Sequence, residues 1–158
     1  MKTLLSVLIL SFATTTFAAD VDLLGLHFLK EAVNKANCKV SVNEINGKST
    51  FTLKRMTPST DFIHDRLGGY KGSSLVYRMK TQHGANVKVT FSLPGGRVNP
   101  SSPNDADVMV RIQTKVDFLS SERKNYGLIQ GLKRIGGAMH ITDLGSKQTT
   151  KLDCATRR

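Results

Sequence analysis

A chain of 158 residues suffices for one domain with its own core, and 23 Lys and Arg against 12 Asp and Glu give it a net charge of +11. Such an excess favours anionic partners: lipopolysaccharide, teichoic acid, phospholipid headgroups, nucleic acid or an acidic protein. Tryptophan is absent and aromatics make up 6%, which counts against a platform that stacks sugars or bases.

The first segment reads as an address. Lys2 precedes an apolar stretch over residues 4–12 and the small-residue exit Thr16-Phe17-Ala18-Ala19, the pattern of a secretory signal peptide spanning 1–19. Cleavage after Ala18 or Ala19 removes Lys2 and no acid, so the expected product is a single exported domain, 20–158, carrying +10. The expected compartment is periplasmic or secreted, where ATP and nicotinamide cofactors are not at hand and disulfides persist. Cys38 and Cys154 are the two cysteines, and a bond between them is the simplest pairing. No later run approaches the ~20 apolar residues that span a bilayer.

Val21, Leu24, Gly25, Phe28, Leu29, Ala32, Val33 and Ala36 recur at helical spacing and predict an amphipathic helix over 22–37, with Glu31 and Lys35 as an i,i+4 pair on its wet side. From Cys38 the period becomes two. Val40 and Val42 alternate outbound, Phe51 and Leu53 alternate on the return, and Asn46-Gly47 predicts a type I′ turn between them. Leu75, Tyr77 and Met79, then Val87, Val89, Phe91 and Leu93, predict a second hairpin that turns within 82–86. After a turn-rich stretch over 94–107, Val108, Val110, Ile112, Val116 and Phe118 form the longest alternating run. Residues 120–135 carry helix signals: Ser120 or Ser121 as cap, Glu122 in the first turn, Lys133 and Arg134 in the last, Gly136-Gly137 as a stop. Gly127 and Gly131 each cost such a helix ~1 kcal/mol, so a strand competes. Short runs at 139–142 and 150–154 close the chain around Gly145-Ser146. The expected fold class is therefore α+β: an N-terminal helix packed on one antiparallel meander of seven or eight strands, with a second short helix near 120–135.

The strand parity that puts apolar residues inward puts Arg78, Lys80, Lys88, Arg111 and Lys115 on the opposite face, with Lys39, Lys54 and Lys151 on outlying strands. Strands lie ~4.8 Å apart, so cations of one parity can form a continuous basic field. A solvated face of any basic protein follows the same rule, and this is the competing explanation. Asp117 and Asp153 share the parity and trim the field.

Four histidines offer acid–base chemistry. His27 projects to the wet side of the helix, His83 lies in a turn, and His140 has outward strand parity. His64 stands among Asp61, Asp65 and Arg66 beside Gly68-Gly69, and this is the one segment that resembles a hydrolytic centre; a polar strand end is the simpler account of it. No His-x-x-x-His or Cys-x-x-Cys spacing points to a metal. Gly47-Lys48-Ser49-Thr50 fails as a phosphate-binding loop because Val42 occupies the place of its first glycine.

The sequence thus suggests an exported binding protein, non-enzymatic and without cofactor or metal, that contacts an anionic envelope component or acidic partner through Arg78, Lys80, Lys88, Arg111 and Lys115. Two alternatives belong to other classes. One is a small secreted nuclease or phosphodiesterase using His64, with Asp61 and Asp65 near it. The other is a periplasmic carrier that holds a lipid or other apolar ligand between helix and sheet.

Overall fold

The computed structural model describes residues 23–65, 70–93, 108–116, 123–129, 135–143 and 147–155; the expected signal peptide, Arg66, the Gly68-Gly69 turn and the 94–107 stretch lie outside them. Helix α1 (Leu23–Lys35) buries Gly25, Leu26, Leu29, Ala32 and Val33. The expected stripe holds at Gly25, Leu29, Ala32, Val33 and Ala36 and departs from expectation at the first turn. Leu26 is inside, whereas Leu24 is 48% exposed. Asn37, at φ 47, ends the helical path in the left-handed region that asparagine tolerates better than most residues.

Two antiparallel sheets replace the single expected meander. The first contains β1 (Lys39–Glu44), β2 (Gly47–Thr52), β8 (Gly137–Asp143) and β9 (Gln148–Cys154), in the order β2-β1-β9-β8. The second is a meander of β3 (Ser59–Asp65), β4 (Tyr70–Lys80), β5 (Ala85–Ser92), β6 (Val108–Val116) and β7 (Arg123–Ile129). Alternation reveals a strand's inward face but not its partner. Pairing β1 with β9 joins the two ends of the domain, with Lys39 opposite Asp153 and Val40 opposite Leu152. Next to that pair, the Cys38–Cys154 disulfide bridges 116 positions of sequence as expected.

The expected helix near 120–135 is a strand over its central part. β7 pairs with β6, setting Gly127 opposite Val110 and Tyr126 opposite Arg111. Gly127 weakens a helix, and the unpaired edge of β6 offers a row of backbone partners that a helix cannot use. The first hairpin forms where expected, but its turn is shifted by one residue. Glu44 pairs with Gly47, so Ile45 and Asn46 are the loop, and the left-handed demand falls on Gly47 alone, at φ 150.

One core joins both sheets and α1. It contains Leu29 and Val33 from the helix, Val40, Val42 and Leu152 from the first sheet, and Tyr77, Phe91, Val110 and Ile112 from the second. Tyr77 and Phe91 meet edge to face at 6.0 Å. Two side-chain bonds tie the sheets together: Gln148 Nε2 donates to Thr114 Oγ1 at 2.6 Å, and Thr81 Oγ1 donates to Glu44 Oε1 at 3.0 Å. A 3-10 turn at Leu53–Arg55 leads out of β2, and α1 packs across it and β4.

Candidate functional site

In the second sheet, β4 and β5 are joined by a tight turn in which the Ala85 backbone N–H donates to Thr81 Oγ1 at 2.9 Å. This fixes a register that sets Arg78 directly opposite Lys88 and Lys80 opposite Asn86. Lys88 is in turn opposite Gln113, and Asn86 opposite Lys115, across the β5–β6 pair. Strand alternation then gathers Arg78, Lys80, Asn86, Lys88 and Gln113 around a shallow depression of about 430 Å³, with Met79, Val87 and Thr114 completing its lining. Arg78 Nη1 donates to Ser59 Oγ on β3, which steadies the guanidinium. Lys80 and Lys88 form no ion pair among the described residues.

The basic field is smaller than parity alone suggests. Farther along β4 and β5 the same face carries Ser74, Val76, Thr90 and Ser92, all buried. Ser74 Oγ donates to Gly72 O and is 2.8 Å from Ser92 Oγ, so hydroxyl pairs replace charge there. Arg111 lies opposite buried Thr90 and is half-buried. Lys115 belongs to the cluster by register, though its side chain is outside the described residues. The three outlying cations do not extend the field: Lys39 and Lys151 belong to the other sheet, and Lys54 to the 3-10 turn. Lys151 is spent on Asp153 at 2.9 Å.

The histidine positions separate. His27 is exposed and 3.8 Å from Glu31, which also sits 3.8 Å from Lys35. His83 is exposed in the β4–β5 turn, and His140 is exposed on β8 opposite Lys151. On the edge strand β3, Asp61 is exposed and opposite Ser74, His64 is opposite Lys71, and Asp65 is opposite Tyr70. The side chains of 62–65 lie outside the described residues, as does Arg66. Among the described residues no group of three or more His, Cys, Asp and Glu stands close enough to hold a metal ion, and no helix is long and apolar enough to cross a membrane.

Set against protein families, curated proteins and solved structures, the chain matches none of them. Its chemistry must be read from its own residues. Among the described residues, the depression is lined by cationic and amide donors and by no carboxylate or imidazole. Such donors can hold an oxyanion.

Sequence parity found the cations of this site and overlooked its neutral members. Asn86 and Gln113 share the outward parity of Lys88 and Lys115, and that signal was present in the sequence. A second basic depression, about 470 Å³, was not foreseen. Asn37, Lys39, Thr52, Lys54 and Arg55 line it. The β1–β2 hairpin brings them together: Lys39 lies opposite Thr52, and Cys38 O accepts the Leu53 backbone N–H at 3.0 Å.

One tyrosine is perturbed without belonging to either depression. The Tyr77 hydroxyl is buried with no protein hydrogen-bond partner, and burial pushes its pKa up to about 12. This is a packing side chain, held against Phe91 within the core.

Proposed function

We propose that the protein is exported by its N-terminal segment and acts as a non-catalytic binding protein. It contacts an anionic envelope component through the basic end of its five-stranded sheet. The observation that carries this reading is the direct opposition of Arg78 and Lys88 across β4 and β5. Like charges facing each other destabilise a sheet, and an opposite-charge or threonine pair would serve stability better. A ligand that supplies negative charge turns this cost into affinity. Lys80, Asn86 and Gln113 surround the pair with further donors. An oxyanion bridging two strands would be met by charge-assisted hydrogen bonds. An acidic protein would satisfy the same surface.

Export is supported by the signal-peptide pattern over 1–19 and by the Cys38–Cys154 disulfide, a bond that persists in oxidising compartments. The carrier alternative gains no support from the described core, where Tyr77, Phe91, Leu29 and Ile112 fill the space against the helix side. The hydrolase alternative rests on the grouping of His64 with Asp61, Asp65 and Arg66 in sequence, to which the register adds Lys71 opposite His64.

The test is binding of the mature protein to phosphatidylglycerol-containing vesicles over a salt series, with the Lys80→Gln, Lys88→Gln double variant beside the wild type. The reading expects steep loss of wild-type binding with salt and weaker, less salt-sensitive binding by the variant. A phosphodiesterase would instead show turnover abolished by His64→Ala, with vesicle binding unaffected.

A further inference from the structure

We infer that the second depression, between the end of α1 and the β2 exit, is a separate site for a compact, multiply charged phosphate anion. Its five lining residues flank two buried anchors. Asn37 and Lys39 lie on either side of Cys38, and Thr52, Lys54 and Arg55 surround Leu53. Cys38 and Leu53 are both fully buried and are joined by the backbone bond from Leu53 N to Cys38 O. The disulfide to Cys154 secures the first anchor to the far end of the chain. Three cations, an amide and a hydroxyl are thus held on backbone that cannot easily spread. That is the pre-organisation an oxyanion site requires.

Among the described residues Lys39, Lys54 and Arg55 form no ion pair. Asp153, the carboxylate facing Lys39 in register, is engaged by Lys151. The carbonyl end of α1 would also welcome positive charge, but Lys35 already stands in its last turn. Among the described residues no aromatic ring lines the depression, and the groups present are cations, an amide and a hydroxyl. What remains is recognition of the phosphate group itself: the Arg55 guanidinium fork and two ammonium groups for charge, Asn37 and Thr52 for the remaining oxygens.

The experiment titrates inorganic pyrophosphate into the full mature protein by calorimetry. The expected result is saturable binding in which one equivalent depends on Lys54 and Arg55. The Lys54→Gln, Arg55→Gln double variant should weaken it by about tenfold or more, the effect of losing charge-assisted hydrogen bonds. Lys54→Arg should retain most of the affinity, and the Lys80→Gln, Lys88→Gln variant should leave it within about twofold, since its changes lie on the other sheet. Thermal melts of each variant establish that it is folded. Absence of saturable binding overturns the inference, and so does equal loss in the two double variants. Vesicles of phosphatidic acid in phosphatidylcholine identify the source: if the Lys54, Arg55 variant loses vesicle binding the phosphate belongs to a lipid headgroup, and if it loses pyrophosphate alone the phosphate is soluble. Because the sheet-face variant is scored independently, failure of this site leaves the proposal for the sheet face standing, and the reverse also holds.

Discussion

Replacing Lys88 with glutamine should make the protein more stable and a weaker binder. Lys88 faces Arg78 directly across the β4–β5 pair. At a charge separation of about 6 Å in a water-like dielectric, their repulsion is about 0.7 kcal/mol. Salt at ~0.15 M, with a Debye length of ~8 Å, roughly halves it. For a domain of this size 1 kcal/mol moves the melting temperature by about 3 to 5 °C, so Lys88→Gln should raise Tm by about 2 to 3 °C in low salt and by about 1 °C at ~0.15 M. Lys88→Glu converts repulsion into attraction and should give about twice the gain. Thermal melts by circular dichroism at two salt concentrations read these shifts. In an Arg78→Gln background the gain should vanish, which isolates the pair from any change in strand propensity. A fall in Tm on Lys88→Gln, or a rise independent of salt and of Arg78, would refute the claim that the pair is held at a cost.

Other regions give separate tests. Replacing both Cys38 and Cys154 with alanine reopens a link across 116 positions and should cost about 4 to 5 kcal/mol on the chain-entropy view, read as a lower denaturant midpoint; a loss under about 1 kcal/mol would show that the β1–β9 pairing suffices without the bond. Gly47→Ala places a non-glycine residue at φ +150 and should lose about 1 kcal/mol or more. The added Cβ would also stand 2.9 Å from His83 Nε2, the far end of an exposed side chain, so a Gly47→Ala, His83→Ala double variant should recover little if backbone strain dominates. Tyr77→Phe removes a buried hydroxyl that has no protein partner and should be neutral or stabilising. Because the folded-state pKa of Tyr77 lies above the ordinary value of 10, its stability contribution is complete below pH 10 and is lost as pH rises toward 12; chemical denaturation over that window should fall off less steeply in Tyr77→Phe than in the wild type.

The sequence was most informative where one period held over several residues. Tyr77, Val89 and Ile112 lie inside as their alternation required, and the cysteines pair as their number and setting implied. Their partners could not be read locally. A strand such as Lys39–Glu44 announces an inward face, but pairing it with Gln148–Cys154 is a choice made by burial and loop closure across the whole domain. This choice divided the strands into two sheets and took Lys39 and Lys151 away from the field around Lys88. Residues 123–129 show a different limit. Helix caps at both ends outweighed two glycines in the sequence, whereas in the fold the open edge of β6 decided the matter. Asn37 and Arg55 are brought near each other by the hairpin that the alternation predicted, in which Lys39 lies opposite Thr52 and Cys38 O accepts the Leu53 N–H, but a shared hairpin end does not by itself announce a depression.

The central claim is that the Arg78, Lys80 and Lys88 end of the sheet binds an anionic surface, and vesicle cosedimentation over a salt series tests it most directly. The wild type should bind phosphatidylglycerol-containing vesicles tightly in low salt and lose affinity steeply as salt rises, while the Lys80→Gln, Lys88→Gln variant should bind more weakly with a shallower slope. Identical affinity and slope for the two proteins, with both folded, would contradict the account.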